Sequence, residues 1–237
     1  MGTGEIITIG TATANCYLVL GEIPYLVDTN VPKARRRIMA ALSGHGLSAG
    51  DLRYILITHY HYDHTGCLAE LKRLSGARVA AGEKDAAVIC GESPQRGPGD
   101  ISPAGRMLRK VPASFLEKYH HFDACEVDMA LREGDAIEEL GLEVLELPGH
   151  TEGGVAFYQR ERKLAFIGDL VSNFFHRPGP PFLSFSYDKG AILQSMRRLG
   201  DLDLDYAYPG HGSVIGPGAA EKIRALAAKL ASRWGLA

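Results

Sequence analysis

The chain has 237 residues, 26 of them basic and 28 acidic, for a net charge of −2 at pH 7, and 46% of it is hydrophobic. A length of that order buries a core without covalent staples, and the near-neutral balance gives no reason to expect nucleic acid or an anionic membrane as the main partner. The four cysteines, Cys16, Cys67, Cys90 and Cys125, form no CxxC pair and read as small buried hydrophobes rather than as a disulfide framework or a zinc knuckle.

The opening "MGTGEIITIG" has neither the basic region nor the apolar stretch of a signal peptide, and no run reaches the roughly 18 apolar residues of a membrane span, so the expected location is the cytoplasm. Three short strand-like runs follow, "EIITIG", "CYLVL" and "YLVDT", and then a helix over "PKARRRIMAALSGHG", opened by Pro32 and closed by Gly44 and Gly46. Its basic run Arg35, Arg36 and Arg37 reads as one solvated face. A fourth strand, "YILITH", precedes a helix over "TGCLAELKRLSG" and a strand at "ARVAAG". Several of these runs do not alternate with polar residues, which is the pattern of strands buried on both faces.

Residues 84–130 break the rhythm. "CGESPQRGPGD" is punctuated by Pro and Gly, and the amphipathic stretches after it carry Met107, Leu108, Phe115, Leu116 and Tyr119. This reads as a helical insertion, either a lid or an element that packs on the core. Strands resume at "LEVLELPGH", "VAFYQ", "KLAFIGD" and "YAYPGH", with helices over "DKGAILQSMRRLG" and "PGAAEKIRALAAKLASRWG". Strands and helices in this order predict α/β layering in one domain spanning 1–237.

Four of the strand-like runs end in a candidate metal ligand: "YILIT" in His59, "VLELPG" in His150, "LAFIG" in Asp169 and "YAYPG" in His211. Ligands in open α/β sheets bind outside the carboxyl ends of strands, so residues far apart in sequence can converge there. The phrase "HYHYDH" adds His61, Asp63 and His64. His59 and His61 are two apart and point the same way in extended chain, whereas Asp63 and His64 come after the chain has begun to turn, which makes two subsites. Imidazole with carboxylate suits zinc, with iron or manganese as alternatives. His45, His120, His121 and His176 read instead as caps or satisfied polar residues.

"THYHYDHTG", then "PGHTEGGVAFY", "FIGD" and "YPGHG", resembles the metallo-β-lactamase-fold hydrolases in motif order and spacing over essentially the whole chain. The resemblance implies a four-layer αββα sandwich of two similar halves with a metal cleft at one edge. It implies two metals, the first held by His59, His61 and His150, the second by Asp63, His64 and His211, with Asp169 bridging. Asp28, ending "YLVDT", matches a supporting aspartate of the family, or else caps its turn.

The chemistry that follows is a metal-dependent hydrolase in which a hydroxide shared by two metals attacks an ester-like bond, with Asp63 orienting the hydroxide or carrying a proton to the leaving atom. Among family substrates, glutathione thioesters are not expected, because hydroxyacylglutathione hydrolases carry much of their recognition on a helical extension and only a short tail follows His211. Ser172 stands where lactonases of the family often have Tyr. Asp63 and His64 stand where the best-known lactamase class has a Cys. After Asp169, "LVSNFFHRPGPPFLSFSY" clusters Phe174, Phe175, Phe182, Phe185 and Tyr187. These residues, with the insertion around Phe115 and Tyr119, form an apolar wall for a small-molecule substrate or else a core or homodimer contact. His176 and Arg177 would meet a carboxylate or phosphate on the same ligand. The expected substrate is a carboxylic ester, thioester or lactone with an apolar portion. The alternatives are an iron-dependent sulfur dioxygenase and a phosphodiesterase.

Overall fold

A computed structural model describes residues 4–112, 115–116 and 121–236. Tyr119 and His120 lie outside the described residues. The chain forms two compact units, the first from Met1–Pro94 with His120–Leu131, the second from Gln95–Tyr119 with Arg132–Ala237.

The first unit is built on a six-stranded sheet in the order β1 (Ile6–Gly10), β2 (Asn15–Val19), β3 (Tyr25–Val27), β4 (Tyr54–Ile57), β5 (Arg78–Gly82) and β6 (Met129–Leu131). The first three strands pair antiparallel and β3 to β6 pair parallel. Parallel neighbours need crossovers, and α1 (Arg35–Gly44) supplies one between β3 and β4 while α2 (Tyr62–Thr65) and α3 (Leu68–Ser75) lie between β4 and β5. Every residue of β2, β3 and β4 is buried, as their unbroken apolar runs predict. Ile38 and Leu42 bury the inner face of α1 in a core with Leu18, Leu26, Ile55 and Ile57. The arginines of α1 stay on the outer face, where Arg35 faces Glu70 at 3.3 Å and Arg37 donates to the Gly10 carbonyl.

The second unit carries a five-stranded sheet in the order β13 (Tyr206–Pro209), β10 (Leu164–Gly168), β9 (Val155–Gln159), β8 (Leu142–Glu146) and β7 (Ala136–Ile137). β13 and β10 are parallel, and the other neighbours are antiparallel. The strands β8, β10 and β13 therefore all run the same way and end at the same edge. A separate hairpin joins β11 (Ser172–Phe174) to β12 (Arg177–Gly179). The helices α6 (Lys189–Gly200) and α7 (Ala219–Trp234) bury Ile192, Met196, Ile223 and Leu230 in a core with Tyr158, Ala165 and Ile167.

The segment 84–130 divides between the units. It contains α4 (Glu83–Ile89) and α5 (Pro103–Leu108), and it ends in β6 rather than in helix. The short strands β6, β7, β11 and β12 have no counterpart in the sequence reading. Two or three residues are too few to show alternation, and Pro178 within β12 argues against a strand.

Candidate metal centre

In the first unit the chain leaves β4 through Thr58 and His59 and enters α2, whose N-cap is His61 and whose body contains Asp63 and His64. His59 and His64 are 2% and 0% exposed, and their ring centroids lie 4.0 Å apart. The His61 ring stands edge-on to that of His59 at 4.9 Å. Asp63 keeps 29% of its side chain exposed, with Oδ1 4.0 Å from His64 Nε2.

One carboxylate organises this group. Asp28 directly follows β3, which is parallel to β4, and is 2% exposed. Its Oδ1 accepts the Thr58 backbone N–H at 2.8 Å, and its Oδ2 accepts the Thr58 hydroxyl at 2.8 Å. The same Oδ2 lies 2.8 Å from His64 Nδ1. Asp28 is therefore more than a turn cap. A carboxylate accepts only, so the His64 proton sits on Nδ1. Thr58 has a single hydroxyl proton, given to Asp28, so at 3.1 Å its oxygen accepts from His59 Nδ1. Both imidazoles are thereby fixed as the tautomer that presents Nε2 to a metal, the usual arrangement behind a ligating histidine. A second buried carboxylate, Asp85 on α4, accepts the Tyr60 backbone N–H at 3.0 Å and anchors the turn. Thr58 and Asp85 are missing from the sequence reading, and nothing local to either marks it.

In the second unit, His150 lies beyond the end of β8, Asp169 follows β10 directly, and His211 lies two residues past β13. All three are buried, at 4%, 6% and 4% exposed. Gly149 holds the turn before His150 at φ +127°, and a Cβ there would lie 2.5 Å from the Ile192 nitrogen, so the "PGH" turn requires glycine. Asp169 Oδ2 is 3.5 Å from His150 Nε2 and 2.9 Å from His211 Nε2. One carboxylate oxygen thus lies close to two imidazole nitrogens. The His211 loop is tied to the hairpin by Asn173, whose backbone N–H donates to the His211 carbonyl at 2.9 Å and whose side-chain amide donates to the Ser213 carbonyl at 2.9 Å.

Aromatic rings flank His211. Phe182 meets it edge-on at 4.9 Å, Phe174 stacks at 6.3 Å, and the two phenyl rings are 6.0 Å apart. Phe174 and Phe182 are 42% and 49% exposed. Phe175 and His176 form the two-residue turn of the hairpin, both at positive φ, with Phe175 92% exposed, and Arg177 is exposed beside them. Tyr187 is half-buried and Phe115 is exposed. His45 takes the capping role, with Nδ1 2.8 Å from the Ala41 carbonyl, and His121 is a surface residue.

The donor sets fit divalent metal. Imidazole nitrogen and carboxylate oxygen, with no thiolate among the seven residues, match zinc, iron or manganese. The Ser186 hydroxyl lies 2.8 Å from His150 Nδ1, and His150 Nε2 lies 3.5 Å from Asp169 Oδ2.

A sequence profile of the metallo-beta-lactamase superfamily matches residues 9–211. The chain belongs to that superfamily, and all seven candidate ligands lie within the matched span. Over 136 residues it is 33% identical to the hydroxyacylglutathione hydrolase of Ectopseudomonas mendocina (strain ymp), a match covering 56% of this chain and 38% of that protein. The chain thus spans well under half the length of that curated relative. A metallo-beta-lactamase family protein from Thermus thermophilus, TTHA1429, superposes with a TM-score of 0.73 at 27% identity, covering 98% of this chain and 79% of the other. TTHA1623, solved in a di-iron-bound form, gives 0.65 at 28% identity, with 92% and 98% covered. The α/β fold is that of these relatives.

Proposed function

We propose that the protein is a dinuclear metal-dependent hydrolase that cleaves an ester-like bond, a carboxylic ester, thioester or lactone, in a small molecule with an apolar portion. The observation that carries the reading is Asp169, whose Oδ2 lies 3.5 Å from His150 Nε2 and 2.9 Å from His211 Nε2. Membership of the superfamily, with the full motif order in the matched span, supports assigning His59, His61 and His150 to one metal and Asp63, His64 and His211 to the other. Zinc is the metal proposed, and the di-iron form of TTHA1623 is the reason to test iron in the same ligand set. Bound there, two divalent metals would lower the pKa of water from 15.7 to about 7 and polarise a carbonyl oxygen.

The protein's own groups have distinct tasks in this reading. Asp28 and Thr58 hold His64 and His59 in register. Asp63 is the partly exposed carboxylate of the set and is assigned to orient the attacking water or to carry a proton to the leaving atom. Phe174 and Phe175 bind the apolar part of the substrate, and His176 and Arg177 meet an anionic group on it. Thioesters head the substrate panel, glutathione thioesters included against the expectation from the sequence, because a curated relative is a hydroxyacylglutathione hydrolase. The cytoplasm is the proposed location. All four cysteines are thiols, and no helix among the described residues is long and apolar enough to cross a membrane.

The test is to purify the protein without added metal, measure its metal content, and assay thioester, lactone, aryl ester and bis-aryl phosphodiester panels. Turnover of an ester class that is lost on chelation and restored by metal is expected. Inert esters with an active phosphodiester, or stoichiometric iron with oxygen consumed on a persulfide, would replace the reading.

A further inference from the structure

We infer that Ser186 is a positioning residue that sets His150 as a metal ligand, and that residues 95–105 are the brace that keeps Ser186 in place. The inference rests on reading His150 as a metal ligand. Ser186 is fully buried, at 0% exposed, and its Oγ lies 2.8 Å from His150 Nδ1. The same hydroxyl donates to the Phe182 carbonyl at 3.1 Å. A serine has one proton to give, so toward His150 the oxygen accepts, and the imidazole proton is fixed on Nδ1. Nε2 is left as the coordinating atom, on the side of Asp169.

The loop carrying Ser186 is held from two directions. Toward His150, the Tyr187 and Asp188 backbone N–H groups both donate to the Gly149 carbonyl, at 2.9 and 3.1 Å. Asp188 in turn caps α6 by accepting the Ala191 N–H at 3.0 Å. From the other side, the Gly99 N–H donates to the Ser184 carbonyl at 2.9 Å. A Cβ at position 99 would come within 1.9 Å of the Ser186 carbonyl oxygen, so only glycine permits this approach. Gly99 is itself backed by the first turn of α5, where a Cβ on Gly105 would lie 2.2 Å from the Gly99 oxygen and where Ser102 caps the helix by accepting the Gly105 N–H at 3.0 Å.

The segment grips the loop a second time through Tyr187. Its hydroxyl donates to the Gly97 carbonyl at 2.9 Å, and the Arg96 guanidinium lies over its ring at 4.4 Å. Arg96 also pairs with Glu152, two residues beyond His150. The stretch that the sequence left open between lid and packing element is, over residues 95–105, a packing element with a task. It places the one hydroxyl that decides which His150 nitrogen faces a metal.

The test uses the full-length protein and four variants: Ser186→Ala, Ser186→Thr, Gly99→Ala and, as a control, Gly97→Ala, whose added methyl would enter open space. Zinc affinity is measured by competition with a chromophoric chelator, and the ligand field is read from the visible spectrum of the cobalt(II) protein. Ser186→Ala and Gly99→Ala are expected to weaken one of the two metals by about 10–100-fold, the usual effect of removing the partner behind a ligating histidine, and to shift the cobalt bands. Ser186→Thr should restore both readouts, and Gly97→Ala should match the wild type. Should Gly99→Ala fail to fold, the Ala and Thr variants of Ser186 decide. Wild-type affinity with an unchanged cobalt spectrum in Ser186→Ala overturns the inference alone, whereas a wild-type protein that binds no metal overturns the reading of His150 beneath it.

Discussion

Replacing Asp28 by asparagine keeps the shape of the side chain and changes only what it can accept. Asp28 uses both oxygens, Oδ1 toward the Thr58 N–H and Oδ2 toward the Thr58 hydroxyl and His64 Nδ1. Asparagine has one oxygen. If that oxygen stays on the backbone N–H, its amide group meets His64 Nδ1, donor against donor. The way out is for His64 to move its proton to Nε2, the atom that a metal needs. The backbone is no obstacle, because Asp28 sits at φ +58°, a region asparagine enters readily. The substitution should therefore fold and cost about 1–3 kcal/mol from a mismatched buried hydrogen bond. It should weaken metal at the His64 subsite by about 10–100-fold. Chemical denaturation gives the first quantity and chelator competition the second. A variant with wild-type stability and wild-type affinity for both metals would refute the argument that Asp28 sets the tautomer.

Phe175→Asn together with His176→Gly places residues suited to positive φ in the hairpin turn, and should raise stability by roughly 0.5–1 kcal/mol while raising KM for apolar substrates; thermal denaturation and kinetics check the two effects, and an unchanged KM would remove Phe175 from substrate binding. Burial pushes the Cys67 and Cys125 thiols up from 9.0 to about 11. Their burial stabilises the fold fully below pH 9 and loses that contribution as pH rises toward 11, because the unfolded chain deprotonates first. Mass spectrometry after brief alkylation at pH 8 should find both unmodified in native protein and modified in denaturant. The Arg198 guanidinium hydrogen-bonded to Glu133 holds that carboxyl below its ordinary 4.5. Its contribution is present above pH 4.5 and lost as pH falls through the lower folded value, so Glu133→Gln should lower stability at pH 6 and converge with the wild type in acid.

His59, His150, Asp169 and His211 stood out in the sequence because each closes an aliphatic run, and His61, Asp63 and His64 because they crowd the turn after the first of these. The longer strands and the four main helices were legible by the same contrast of run and punctuation. What was not legible depends on partners distant in sequence. Ser186 acts on a residue 36 positions away and Asp85 on one 25 away, and neither sits in a local pattern. The β11–β12 hairpin was hidden because its turn is Phe175–His176 instead of the Asn-Gly that signals such a turn, and because Pro178 sits in its second strand. Phe174 and Phe182, read from the sequence as part of an apolar wall, flank the His211 imidazole.

The central proposal is that seven residues from four places in the chain hold two metals. Crystals of the protein grown with zinc, measured on either side of the zinc absorption edge, test it most directly. Two anomalous peaks per chain are expected, one within bonding distance of His59, His61 and His150, the other of Asp63, His64 and His211, with Asp169 touching both. A single peak, or peaks away from these side chains, would contradict it.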